Sequence, residues 1–102
     1  MKVLVDLCVV PVGTGLSLSE YVAECERILR GAGLEVQLHA NGTNVAGEWD
    51  AVFGAIRRCH ERLHELGVVR LYTSLSVNTR TDRDQGMQEK IDSVERHLAE
   101  GG

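Results

Sequence analysis

The run Lys2-Val3-Leu4-Val5-Asp6-Leu7-Cys8-Val9-Val10 constrains this chain more than any other stretch. Val and Leu dominate it, and β-branched side chains favour a pleated backbone. At a period of two, Val3, Val5, Leu7 and Val9 share one face, and Leu4, Asp6, Cys8 and Val10 share the other. Both faces are largely apolar, so both require a cover. Asp6 is the exception and reads as an exposed or ion-paired group on a partly wet face. The strand runs into Pro11-Val12-Gly13-Thr14-Gly15-Leu16-Ser17, where the chain changes character. Pro11 lacks an N–H and is expected to end the ladder. Gly13 and Gly15 allow a tight turn. Ser17-x-x-Glu20 makes a capping box for the helix that follows. This loop reads either as a plain β-to-α connection or as a rim for a polar or anionic ligand. It is not a nucleotide-binding loop, because the Gly-x-x-x-x-Gly-Lys-Ser/Thr pattern and the third Rossmann glycine are both missing.

Beyond the turn, Leu18, Val22, Cys25, Leu29 and Ala32 recur at helical spacing, with Ile28 beside them. Gly31 and Gly33 stop that helix near Arg30. Leu34 to Ala40 alternates as a half-buried strand. Asn41-Gly42 is a hairpin signal, since both residues tolerate positive φ. Thr43 to Ala46 then reads as a short return strand broken by Gly47. A second helix is expected from about Glu48 to Leu66, with Val52, Ile56, Cys59, Leu63 and Leu66 as its stripe. Val68 to Asn78 forms the last strand, with Arg70, Tyr72, Ser74, Ser76 and Asn78 on a polar face. Met87, Ile91, Val94 and Leu98 mark a C-terminal helix whose stripe needs a surface to cover. The order is β-α-β-β-α-β plus one helix. It predicts a single α+β domain over residues 1–102, a ferredoxin-like fold with a four-stranded antiparallel sheet. The apolar opposite face of the first strand calls for another subunit's sheet, the terminal helix or a ligand. A homo-oligomer pairing through sheets is the expectation.

Composition narrows the function. The chain has 102 residues, net charge −4, and basic residues scattered without a stripe, so nucleic acid is not an expected partner. Its aromatic residues are Tyr21, Trp49, Phe53 and Tyr72, too few and too spread for an RNA-stacking sheet. No apolar run reaches membrane-spanning length. The N-terminus does not read as a signal peptide. Cys8, Cys25 and Cys59 are odd in number without a Cys-x-x-Cys, which points to thiols in a reducing cytoplasm.

No catalytic constellation stands out. His60 and His64 share a helical face at i and i+4, but two ligands do not complete a metal site, so no metal is expected. No Gly-x-Ser-x-Gly elbow occurs, and no spacing ties Cys to His. Trp49 starts the second helix behind Gly47; it reads as a corner-packing residue or as a platform for a flat ring or cation.

Taken in order, Pro11-Val12-Gly13-Thr14-Gly15, Ser17-Leu18-Ser19-Glu20-Tyr21-Val22, Gly42-Thr43, Gly47-Glu48-Trp49-Asp50, Cys59-His60-Glu61 and Arg80 form a specific series. In this series the chain resembles the YkoF-related thiamine-binding family (UPF0045 type) along nearly its whole length. The resemblance implies a cytoplasmic ferredoxin-like dimer or tetramer that binds thiamine, or its hydroxymethylpyrimidine half, without catalysis and without a cofactor. Two positions depart from the family pattern. Ala46 stands where relatives commonly carry Glu, and Ser76-Val77-Asn78 stands where they often read Lys-Ile-Asp. Thiamine is a cation, so these missing acids shift attention to Asp6. The expected site therefore lies on the non-helical sheet face near a subunit interface. Asp6 supplies charge, Thr43, Ser76 and Asn78 supply hydrogen bonds, Gly13, Thr14 and Gly15 shape the rim, and Trp49 stacks. Strand order alone does not bring Asp6 to the last strand. The alternative is an oligomeric interaction or regulatory module whose polar sheet face meets a protein and no metabolite.

Overall fold

A computed structural model describes residues 1–14, 18–83 and 86–101. Its elements are β1 (Lys2–Val12), α1 (Leu18–Gly31), β2 (Glu35–His39), β3 (Gly42–Glu48), α2 (Trp49–Glu65), β4 (Arg70–Asn78) and α3 (Met87–Glu100). The sheet order is β2-β3-β1-β4, antiparallel throughout. This is the expected ferredoxin-like α+β arrangement, with β1 in the interior of the sheet.

Two layers form because one face of the sheet is apolar enough to carry both crossover helices. Val3, Val5 and Leu7 of β1 and Val45 of β3 meet Cys25 and Leu29 of α1 and Val52, Ile56, Cys59 and Leu63 of α2. Each such side chain contributes roughly 1.5–3 kcal/mol when fully buried. Arg62 ties the helices together through Glu24 of α1 at 3.3 Å. Among the described residues no helix is long and apolar enough to cross a membrane.

Four local expectations are corrected. Pro11 does not end β1: the strand continues to Val12, and Pro11 is buried opposite Leu71 of β4. What ends near there is pairing with β3, whose last partners are Leu7 and Thr43. Asn41-Gly42 is not the turn pair. His39 and Gly42 close the hairpin as partners, Ala40 and Asn41 form its turn, and neither Asn41 nor Gly42 has positive φ. Gly42 is required for space instead, since a Cβ there would lie 2.7 Å from the Leu7 carbonyl oxygen. Gly47 does not break β3, which runs to Glu48 with Gly47 opposite Val3. Finally, β1 and β4 are direct neighbours, and Asp6 lies opposite Ser76. The turn after β1 does use a glycine in the left-handed region, at Gly13 with φ 76°. The capping box falls on Ser17, outside the described residues.

The second face of the sheet is open. Leu4, Cys8 and Val10 are half-buried there, Asp6 is exposed, and α3 begins over one corner, where Met87 is 5% exposed. The remainder of α3 projects. Ile91, Val94 and Leu98 are 37%, 59% and 64% exposed, so the stripe legible in the sequence has no cover within the described chain. The radius of gyration, 15.4 Å, exceeds the ~13 Å of a compact domain this long, in keeping with a projecting helix.

Candidate functional site

The mismatch between β1 and β3 creates the main cavity. β3 stops pairing at Leu7 while β1 continues, so the sheet is missing a corner beyond the hairpin tip. α1 runs over this gap. The lower half of its stripe, Cys25 and Leu29, finds sheet beneath it and is buried. The upper half, Leu18 and Val22, overhangs the missing corner and stays 51% and 36% exposed. Together with Val9 and Leu38 these side chains wall a cavity of about 740 Å³ between α1, the hairpin tip and β1. That is the usual size for a small-molecule site.

Glu26 is the charged group inside it. It lines the cavity and is only 6% exposed. Thr43, on the helix-facing side of β3, donates its hydroxyl to Glu26 Oε1 at 3.2 Å. Glu26 Oε2 is buried and has no hydrogen-bond partner among the described residues. Buried carboxylates are normally satisfied by pairing. Glu26, lining an apolar chamber with one carboxylate oxygen unpartnered, therefore suits a cation or an N–H donor. Arg27 and Arg30 stand exposed at the rim, and Arg27 is engaged by Glu24 at 3.1 Å.

The residues singled out in the sequence divide among several places. Thr43 lines the cavity. Asp6, Ser76 and Asn78 lie on the opposite, open face around a shallow hollow with Asn44. Asp6 is held there by His39, whose Nε2 lies 2.9 Å from Asp6 Oδ1. The Asn41 N–H donates to His39 Nδ1 at 3.3 Å, so the ring proton sits on Nε2 and is donated to Asp6. Gly13 and Thr14 follow the end of β1, and Gly15 lies outside the described residues. Trp49 is at the other end of the sheet. Its N–H bonds the Met1 carbonyl at 2.9 Å, and its ring stacks against Phe53 with centroids 4.6 Å apart. The fold thus gathers Asp6, Ser76 and Asn78, and separates them from Thr43 and from Trp49.

Glu26 was not singled out in the sequence. The available signal was its position in α1, four residues after Val22 and three before Leu29, an acid on the margin of an apolar stripe. His60 and His64 do not converge on a common point. His60 Nε2 lies 2.6 Å from the Thr73 hydroxyl, and His64 Nδ1 lies 2.7 Å from the Val68 carbonyl oxygen. Burial, and then the nearby His64, lower the His60 pKa. Among the described residues no three His, Cys, Asp or Glu side chains are grouped to hold a metal ion. The three thiols are free. A hydrogen bond with Cys25, and then burial, push the Cys59 thiol well up. After β4, Arg80 grips Asp82 through two contacts of 2.6 Å, holding that carboxyl at about 2.

Comparisons with known proteins agree with one another. A family model described as thiamine-binding protein matches residues 5–95. The UPF0045 protein sll0230 of Synechocystis is 53% identical over 98 residues, covering 96% of this chain and 81% of the relative. The UPF0045 protein ECM15 of Eremothecium gossypii is 43% identical, covering 98% and 96%. Among solved structures, protein MJ1052 of Methanocaldococcus jannaschii superposes with a TM-score of 0.84 at 26% identity, covering 92% of this chain and 96% of that one.

Proposed function

The chain belongs to the thiamine-binding protein family, and from that premise we propose that it is a non-catalytic binding protein whose cavity takes thiamine or its hydroxymethylpyrimidine half. One observation carries the assignment to this cavity: Glu26 lines a chamber with apolar walls and holds a buried carboxylate oxygen that has no partner among the described residues. A thiazolium ring is a flat cation with an apolar periphery, and both parts of that description find a counterpart there. Glu26 then takes the role that the sequence had assigned to Asp6, and Thr43 acts by holding Glu26 in place of bonding the ligand directly. Asp6, Ser76 and Asn78 remain candidates for a second polar contact surface on the open face, and Gly13, Thr14 and Gly15 for the rim. The protein works in the cytoplasm without a cofactor.

The test is thermal unfolding with thiamine, its phosphates and hydroxymethylpyrimidine. Ligand at one hundred times its dissociation constant stabilises by about 2.7 kcal/mol. For a domain of this size that raises the midpoint by several degrees or more. The expected result is a shift with thiamine that is lost in Glu26→Gln. Absence of any shift in the unaltered chain would remove the proposal.

A second reading concerns assembly. The exposed Ile91, Val94 and Leu98 stripe and the open sheet face favour a homo-oligomer, a dimer or tetramer. Sedimentation of the chain beside Val94→Asp and Leu98→Asp tests it; a monomer in the unaltered chain would leave these surfaces for another protein.

A further inference from the structure

β1 outruns its partner by several residues. Its ladder with β3 ends at Leu7↔Thr43, whereas its ladder with β4 runs on to Val12↔Arg70. In an antiparallel sheet the N–H and C=O of one residue point to the same neighbour, and successive residues alternate sides. Lys2 lies opposite Glu48, and the Met1 carbonyl accepts the Trp49 N–H at 2.9 Å. The odd-numbered residues of β1 therefore direct their main-chain groups towards β3. Carried along the strand, Val9 and Pro11 direct theirs to the side from which β3 has already turned away. Pro11 has no N–H to lose there, which explains a proline inside a strand interior to the sheet. Val9 keeps both its donor and its acceptor, and it lines the cavity beside the hairpin tip and Glu26.

An unpaired strand edge can accept a peptide strand or a small molecule. A peptide strand needs a repeating series of donors. Pro11 interrupts that series two residues beyond Val9, so beside the lone Pro11 carbonyl the edge offers one donor–acceptor pair, that of Val9. That pair matches the edge of a flat heterocycle carrying a ring nitrogen next to an exocyclic amino group.

We infer that the Val9 main chain is the element that selects the ligand's ring: its N–H donates to a ring nitrogen and its C=O accepts from the adjacent amino group, while Glu26 holds the positive charge. The inference rests on the proposed function and adds the atoms that discriminate. The ligand class is an aminated aromatic heterocycle carrying a cation, bound at Val9 on a strand edge where Pro11 rejects an added strand.

The experiment is calorimetric titration of the full chain with thiamine and with oxythiamine. Oxythiamine keeps the thiazolium charge but carries an oxo group in place of the amino group, so its donor and acceptor are reversed. The expected result is binding weaker for oxythiamine by about tenfold or more, because a site built for one hydrogen-bond pattern leaves its own groups unpaired with the other. Val9→Pro removes the N–H on the cavity side alone and is expected to weaken thiamine binding about as much. Val9→Ala, which keeps the main-chain groups, retains binding. Glu26→Gln weakens both ligands and preserves the preference between them. Equal affinities for thiamine and oxythiamine in the unaltered chain would overturn the inference while leaving the proposed function standing. A folded Val9→Pro protein that binds like Val9→Ala would do the same. If Val9→Pro does not fold, the comparison of the two ligands decides alone. Failure of thiamine itself to bind would overturn both.

Discussion

Thr43 and Glu26 are 17 residues apart, on β3 and α1, and join through one buried hydrogen bond of 3.2 Å. It is the only hydrogen bond to the Glu26 carboxylate among the described residues, and it leaves Oε2 without a partner. The bond locks the hairpin to the helix at the floor of the cavity.

Thr43→Val deletes the donor and leaves both carboxylate oxygens buried and unpaired. The expected loss is about 1–3 kcal/mol. The unfolding midpoint then falls by roughly 4–8 °C per kcal/mol. Adding Glu26→Gln to Thr43→Val removes the stranded charge and restores part of the loss. Denaturant titration of the two singles and the double reads this directly. Additivity of the two changes would show that the pair is not coupled.

Two glycines of β3 separate by what stands opposite them. A Cβ at Gly42 would meet the Leu7 carbonyl oxygen at 2.7 Å, and backbone cannot step aside. A Cβ at Gly47 would meet Leu34 Cδ2 at 2.6 Å, the end of a side chain that can rotate. Gly42→Ala is therefore expected to cost more than Gly47→Ala, at about 1–3 kcal/mol for forced overpacking. Equal midpoints for the two variants would contradict the close approach at the hairpin.

His60 makes stability depend on pH. Its pKa in the folded chain lies below the ordinary 6.5, first because of burial and then because of His64. The unfolded chain thus takes up the proton at a higher pH than the folded chain. Stability is fully present above about 6.5 and declines as pH falls from there towards the lowered folded value. His60→Gln is expected to flatten that decline in a midpoint-against-pH profile. An unchanged slope would assign the decline to other groups.

Trp49 serves as an internal negative control. It bonds Met1, and the cavity begins along β1 at Leu7, six residues further on or roughly 20 Å of strand. Thiamine binding in the cavity is expected to leave Trp49 emission nearly unchanged, and Trp49→Phe to bind normally. Strong quenching on titration would place the ligand at the far end of the sheet.

The linear order of residues determined the element types. An unbroken Val- and Leu-rich run marked β1, alternation marked β2 and β4, helical spacing marked α1, α2 and α3, and the ordering of those elements specified the ferredoxin-like topology. These features are local, because period and turn chemistry depend on residues a few positions apart. The family resemblance was likewise legible in short motifs. Tertiary structure decided the rest. Whether Asp6 meets Ser76 depends on which strands are neighbours, and β1 against β4 answers that. Whether Leu18 and Val22 are core or cavity wall depends on where β3 stops beneath α1, since an apolar stripe reads the same over sheet and over a gap. Glu26 acquired its importance only when Thr43 arrived from another strand and left one oxygen open. Val9 lies beyond the β1–β3 ladder only because β3 ended short of it. A free hydrogen-bonding group is a property of two segments and the space between them, and no single segment encodes it.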